Sequence, residues 1–264
     1  MKKQFLHYFS IYKQFLTINV AAASQFRLNF VLLILMDMIA YTSSLLLVDF
    51  IYKHVEQIGI WQRNEFMFFI SFMLVVDHLH MTFVSENFWN FAYDIRTGRF
   101  DFNLLKPVSS IFISFFYYIR PASLLVLPFP WACLIYFGLQ SDLSHMAWVS
   151  LPFLIVLSLG FWVCFEILLS ISTFWLIEGY GINFLRVQLQ QISRWPDFSF
   201  SHLVRKFFIL FIPVLVVGSF PVRFLLDQRA WMYIVYMLAG LLVLVFLIRR
   251  LWGVGLKYYE SASS

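Results

Sequence analysis

Asp77-His78-Leu79-His80 lies inside an apolar run and is the first candidate for metal chemistry. Histidine and carboxylate side chains are common transition-metal ligands. On a helix, however, residues two apart point to nearly opposite sides, so His78 and His80 cannot share one ion. Asp77 and His80 are three apart and share a face, which predicts a hydrogen-bonded pair within a helical bundle and no metal site. Asp37, Arg120 and Glu166 also fall well inside apolar runs. An Asp or Arg at mid-bilayer costs at least about 2.5–3.5 kcal/mol, so such groups face protein or water. One chemistry that fits is a polar transport lining or proton relay; the other is structural pairing, for instance Arg120 with Glu166. No Asp/His series spaced for proton hopping runs through the chain, which favours pairing. No segment matches the G-x-x-x-x-G-K-[ST] phosphate loop, H-E-x-x-H, a paired-cysteine ligand set or a nucleophile elbow. No catalytic residue and no cofactor are therefore assigned to this chain, which is not expected to hydrolyse nucleotide by itself.

The elements that carry these residues are set by composition. The 264 residues are 61% hydrophobic and 12% charged, against about 45–50% and about 25% in soluble domains. With a mean hydropathy of +0.79, a core of this size cannot bury the surplus, and lipid must be the solvent for much of it. The net charge of +5 is spread near the ends of apolar runs, which suits an anionic leaflet and not a nucleic-acid groove. Cys133 and Cys164 sit in apolar segments and read as buried free thiols. The 33 phenylalanines read mainly as lipid-facing and packing surface, and a share could line a cavity for apolar cargo.

An all-α integral membrane fold follows, as one transmembrane domain over residues 1–264. Residues 2–23 predict an interfacial amphipathic helix, with Phe5, Phe9, Tyr12, Leu16 and Val20 on one face and Lys3, His7, Ser10, Gln14 and Thr17 opposite. Lys13 and the polar positions around it interrupt any signal-peptide core. Six spans are predicted, near 28–52, 66–85, 108–139, 147–177, from Phe207 onward, and Trp231 to Ile248. Pro121, Pro128 and Pro130 predict kinks in the third. Pro213, Gly218 and Pro221 interrupt the fifth, so a re-entrant external segment between spans five and six fits as well as a kinked crossing does. With the N-terminus inside, 14 of the 19 Lys and Arg fall on inner segments and four on outer ones, which places both termini in the cytoplasm. Residues 86–107 and 178–204 then become cytoplasmic loops, and residues 261–264 a frayed tail.

The first of these loops concentrates charge and aromatics in a chain poor in charge: Asp94, Arg96, Arg99, Asp101 and Lys106, with Phe88, Trp89, Phe91 and Tyr93 before them. Its residues 94–109, DIRTGRFDFNLLKPVS, are similar to a pattern of acid-Ile-Arg-x-Gly-x-Leu-Asp-x-x-Leu-Leu-x-Pro-Val-Ser, with Phe100 in place of the leucine. Together with the amphipathic start, the six spans, the STFW run at 172–175 and SRWP at 193–196, this resembles the type-2 (ABC-2) permeases of ABC transporters. The likeness extends to a small bacterial subgroup without a fused ATPase domain.

The resemblance implies that the first loop is a coupling helix docking on separate cytoplasmic ATPase subunits, through Trp89, Tyr93, Asp94, Ile95, Arg96, Gly98, Arg99, Asp101, Leu104 and Leu105. ATP and Mg would reside on the ATPase. A second permease, identical or related, would complete an assembly in the bacterial inner membrane that works by alternating access, usually as an exporter. Phe88, Trp89, Phe91 and Tyr93 as aromatic anchors, with Asp94, Arg96 and Arg99 for charge complementarity and register, agree with docking, and Gly98 permits a tight turn before the third span. Two other function classes remain on the residues alone: a proton-coupled secondary transporter using Asp37, Asp77 and Glu166, and a non-transporting scaffold.

Overall fold

The computed structural model describes residues 2–24, 27–176 and 179–259. Among them the regular structure is helical, apart from one isolated bridge between Ile58 and Trp61. The helices α1 (Lys2–Ser24), α2 (Arg27–Tyr52), α3 (Arg63–Phe83), α4 (Ser85–Thr97) and α5 (Phe100–Leu104) come first. They are followed by α6 (Ser110–Phe116), α7 (Pro121–Val126), α8 (Pro128–Gln140) and α9 (His145–Ile171). Last are α10 (Tyr180–Ser193), α11 (His202–Leu210), α12 (Val216–Leu226) and α13 (Trp231–Tyr258). The expected tail at 261–264 lies outside the described residues.

Among the described residues, five helical stretches are long and apolar enough to cross a membrane: Phe30–Tyr52, Arg63–Phe83, Pro121–Gln140, His145–Phe174 and Gln228–Tyr258. They fall on the first, second, third, fourth and sixth predicted spans. Helix α3 is the centre, wrapped by α2, α7, α8, α9 and α12. Helices α2 and α13 instead leave Leu32, Leu35 and Met36, and Leu242, Val243 and Phe246, uncovered. Keeping such apolar faces in water would cost about 25 cal/mol per Å²; against lipid they carry no such cost, so a single layer of helices around α3 suffices.

The third predicted span is broken before Pro121 and then runs as one helical stretch from Pro121 to Gln140, interrupted by a turn at Leu127. Leu127 before Pro128 stays helical at φ −46° and ψ −41°, but Pro121, which opens α7, drives the preceding residue out of the helical region. Arg120 accordingly has φ −100° and ψ 90°. The backbone groups freed at the break find partners elsewhere. Tyr118 N–H donates to Asn87 Oδ1 at 2.7 Å, Asn87 Nδ2 donates to Tyr118 O at 2.9 Å, and Asn19 Nδ2 donates to Tyr117 O at 2.9 Å. Arg120 N–H donates to Thr82 O at 2.8 Å. Non-helical backbone is tolerated in such a bundle because protein supplies those partners.

Helix α1 turns a different stripe to the protein from the predicted apolar face. Tyr8, Phe15 and Asn19 reach α6 and its end, with Tyr8 edge-on to Phe112 at 4.9 Å and Phe15 on Tyr117 at 4.8 Å. Phe9 and Val20, on the predicted face, are exposed. That leaves an apolar flank for lipid beside the stripe that docks.

The α4 end of the bundle is closed by an aromatic cluster of Phe88, Phe91, Phe100, Phe115, Phe174 and Trp252, joining α4, α5, α6, α13 and the turn after α9. Trp252 Nε1 donates to Ser110 Oγ at 3.0 Å and ties α13 to α6. Helix α13 continues through Arg249 and Arg250 to Tyr258 instead of stopping at Ile248, because Trp252 and Gly255 still face this cluster.

Two further stretches depart from expectation. Residues 178–204, expected as a loop, contain α10. The predicted fifth span is two short helices, α11 and α12, joined by non-helical residues 211–215. Helix α10 begins beside α4, where Arg96 Nη2 donates to Tyr180 Oη at 3.2 Å. It leads to Phe198, whose ring stands edge-on to Trp61 at 4.8 Å in the α2–α3 connection. Gly59 in that connection has φ +62°, and a Cβ there would collide with the Phe198 ring. Only glycine accommodates both the left-handed backbone and the close approach.

Candidate functional site

The stretch from α4 to α5 divides its residues between the chain's own core and the surface. Four aromatics were expected to face a partner, but Phe88 and Phe91 are buried in the aromatic cluster. Their spacing of three puts them on the inward face of an amphipathic helix. Trp89 is half-buried and edge-on to Phe184 of α10, and Tyr93 is exposed. Gly98, at φ 72°, is the left-handed cap of α4, and its N–H donates to Ile95 O. Capping by a left-handed glycine is what reverses the chain into α5. Phe100 is fully buried against Phe91, Phe174 and Trp252.

Asp94 and Arg99 face each other across this turn, Nε to Oδ1 at 3.7 Å, with Asn103 Nδ2 donating to Asp94 at 3.4 Å. Burial of Asp94 pushes its carboxyl up, and Arg99 and Asn103 only partly offset that. The Arg96 guanidinium stacks over the Tyr180 ring at 4.9 Å. Beyond these, the tip presents Phe102, Leu104 and Leu105, exposed by 67%, 41% and 81%. Arg96, Arg99 and Lys106 flank it. Leu104 and Leu105 were expected here; Phe102 was not, although its place between Asp101 and Asn103 marks a helix too short to bury every apolar residue. Ile95 is half-buried against the aromatic cluster, and Asp101 O accepts from Leu105 N–H at the end of α5.

Asp37, Asp77, His80, Arg120 and Glu166 each have a partner, though not the one expected. Arg120 pairs with Asp37, Nη2 to Oδ1 at 3.2 Å, and not with Glu166; Ser123 Oγ donates to the other Asp37 oxygen at 3.0 Å. Asp77 does not reach His80. Its Oδ2 accepts from Arg194 Nε at 2.7 Å and its Oδ1 from Gln190 Nε2 at 3.2 Å. His80 Nε2 lies 2.5 Å from Glu166 Oε2, and Arg186 Nε approaches Glu166 Oε1 at 3.3 Å. That last contact is an ion pair without hydrogen-bond alignment. His78 turns away from His80, its Nδ1 2.8 Å from the Tyr41 hydroxyl.

Both missing cations come from α10 and its C-terminal cap, where Asn183, Arg186, Gln190 and the capping Arg194 form one polar stripe at helical spacing. Arg186 is 2% exposed and lies over the Phe88 ring at 4.1 Å, while Asn183 Nδ2 donates to Phe88 O at 3.4 Å. A third pair continues the column beyond α10: Arg223 of α12 donates to Asp197 Oδ1 at 2.7 Å. The signal for this helix lay in that stripe together with two carboxylates in apolar spans that still lacked cations. Hydropathy alone could not find it.

Comparison with known proteins gives one family. Residues 38–263 match the family model described as "ABC-2 family transporter protein". No curated protein and no solved structure matches the chain.

Proposed function

Because the chain belongs to the ABC-2 transporter family, we propose that it is the membrane permease subunit of an ATP-driven exporter in a bacterial inner membrane. A separate cytoplasmic ATPase supplies ATP and Mg chemistry, and a second permease completes the assembly. The observation that carries this reading is the α4–α5 tip. Its exposed Phe102, Leu104 and Leu105, flanked by three cations, have the anatomy of a docking patch with an apolar centre and a polar rim. Phe88 and Phe91 behind it lock the tip to the bundle, so force on the tip reaches α3, α9 and α10 as rigid-body movement. Purified permease reconstituted with its ATPase and second permease is expected to move hydrophobic or amphipathic cargo only with hydrolysable ATP. Transport by the permease alone, driven by a proton gradient, would overturn this reading in favour of a secondary transporter.

Topology belongs to the same proposal. Helix α10 starts at the α4 end of the bundle and leads to the α2–α3 connection at the other end, so we read it as the fifth crossing. Helices α11 and α12 then form a re-entrant hairpin from the outer face. Gly218 of α12 abuts Met73, midway along α3, while Gln228 just after it bonds Ser144 at the start of α9. Both termini remain cytoplasmic. In a Cys133→Ser/Cys164→Ser background, Ser199→Cys is expected to react with an impermeant maleimide added outside intact cells. Labelling only after permeabilisation would return residues 178–204 to the cytoplasm.

A further inference from the structure

Where α1, α2, α4 and the α6–α7 break converge, the bundle holds an open cavity of about 530 Å³ that neither the charge column nor the docking tip uses. Its walls are apolar, with Ala22 and Ala23 of α1, Phe30 and Leu33 of α2 and Met81 of α3. Its polar lining is Asn19 of α1, whose amide nitrogen already donates to the Phe15 and Tyr117 carbonyls, and on the α4 side Ser85, Glu86 and Trp89, with Arg120. Charge decides what this side can bind. Arg120 is already committed to Asp37 at 3.2 Å. Glu86 makes no hydrogen bond or ion pair through its carboxylate among the described residues, and desolvation pushes that carboxyl up despite the field of Arg120. With Arg120 engaged by Asp37, Glu86 supplies the uncompensated charge at this cavity, and Trp89, one turn further along α4, lines it too. A carboxylate next to a tryptophan ring selects a cation, which gains both ion pairing and attraction to the ring.

We propose that this cavity is a binding site for an amphiphile with an ammonium head, which Glu86 and Trp89 recognise while the alkyl chain lies against α1 and α2. This goes beyond the transport role and does not depend on ATPase docking. The same chemistry is offered by an aminophospholipid of the inner leaflet and by a free cationic amphiphile.

The test uses the full-length protein in maltoside micelles with radiolabelled dodecyltrimethylammonium as probe. Saturable binding is expected, with dodecyl sulfate failing to compete. Glu86→Gln should weaken binding about tenfold, the scale of one charge-assisted contact, with an unchanged melting point. Ala22→Trp, which fills the cavity, should abolish it. Phosphatidylethanolamine retained in native mass spectra, and displaced by the probe, identifies the lipid as the occupant; no retained lipid identifies a free amphiphile. Non-saturable uptake, equal competition by dodecyl sulfate, or full affinity in a folded Glu86→Gln variant overturns the proposal.

Discussion

Glu166→Ala is expected to lower the thermal midpoint of the detergent-solubilised protein by on the order of 10 °C, a loss of about 3–5 kcal/mol. The substitution strands Arg186, which is 2% exposed and held by Glu166 on one side and the Phe88 ring on the other. It also frees His80, whose Nδ1 already lacks a partner. A buried guanidinium without its counter-charge is costly because neither water nor another anion reaches it. The double change Glu166→Leu/Arg186→Met should recover most of the loss, since a well-packed apolar pair of similar volume avoids the desolvation of both charges. Asp37→Asn should cost less, because Arg120 there is 18% exposed and keeps some contact with solvent. If Glu166→Ala melts with the wild type, the cluster does not hold α3, α9 and α10 together.

This cluster shows what the sequence conceals. The strongly apolar helices α2, α3, α9 and α13 are visible as runs of residues that water would reject, and the structure places a helix on each. Helix α10 is invisible to that criterion, because it turns its polar stripe inward and meets Asp77 and Glu166 instead of lipid. The carboxylates themselves were legible as groups needing partners, yet Arg120 looked the natural partner for Glu166 only while α10 was taken for a loop. The proposed docking tip is similarly half-legible. Phe88 and Phe91 read as anchors because their types suit an interface, but helical spacing sends them into the core, and the shortness of α5 leaves Phe102 outside instead. For α1, period alone defines several neighbouring stripes. The stripe that docks is fixed by Phe112, the Tyr117 ring and carbonyl, which accepts from Asn19, and the Ser109 N–H, which donates to the Tyr8 hydroxyl, all about a hundred residues away.

Leu105→Asp carries the second large expected effect: partner ATPase association should weaken at least about 30-fold, with ATP-driven transport lost in proportion. At 81% exposed, Leu105 contributes little to the chain's own packing, so the melting point should hold. A carboxylate at the centre of a desolvated patch must shed its water without a matching cation, which is why the penalty exceeds simple truncation. Phe100→Asp provides the contrast, since Phe100 is wholly buried among Phe91, Phe174 and Trp252. That variant should unfold the α4 end and lose association only as a consequence. Arg99→Glu, on the exposed rim beside Asp94, should slow association and flatten its salt dependence with a smaller change in affinity. Stability and docking thus separate within a stretch of six residues. If Leu105→Asp keeps full association while remaining folded, the ATPase grips the permease somewhere other than the α4–α5 tip.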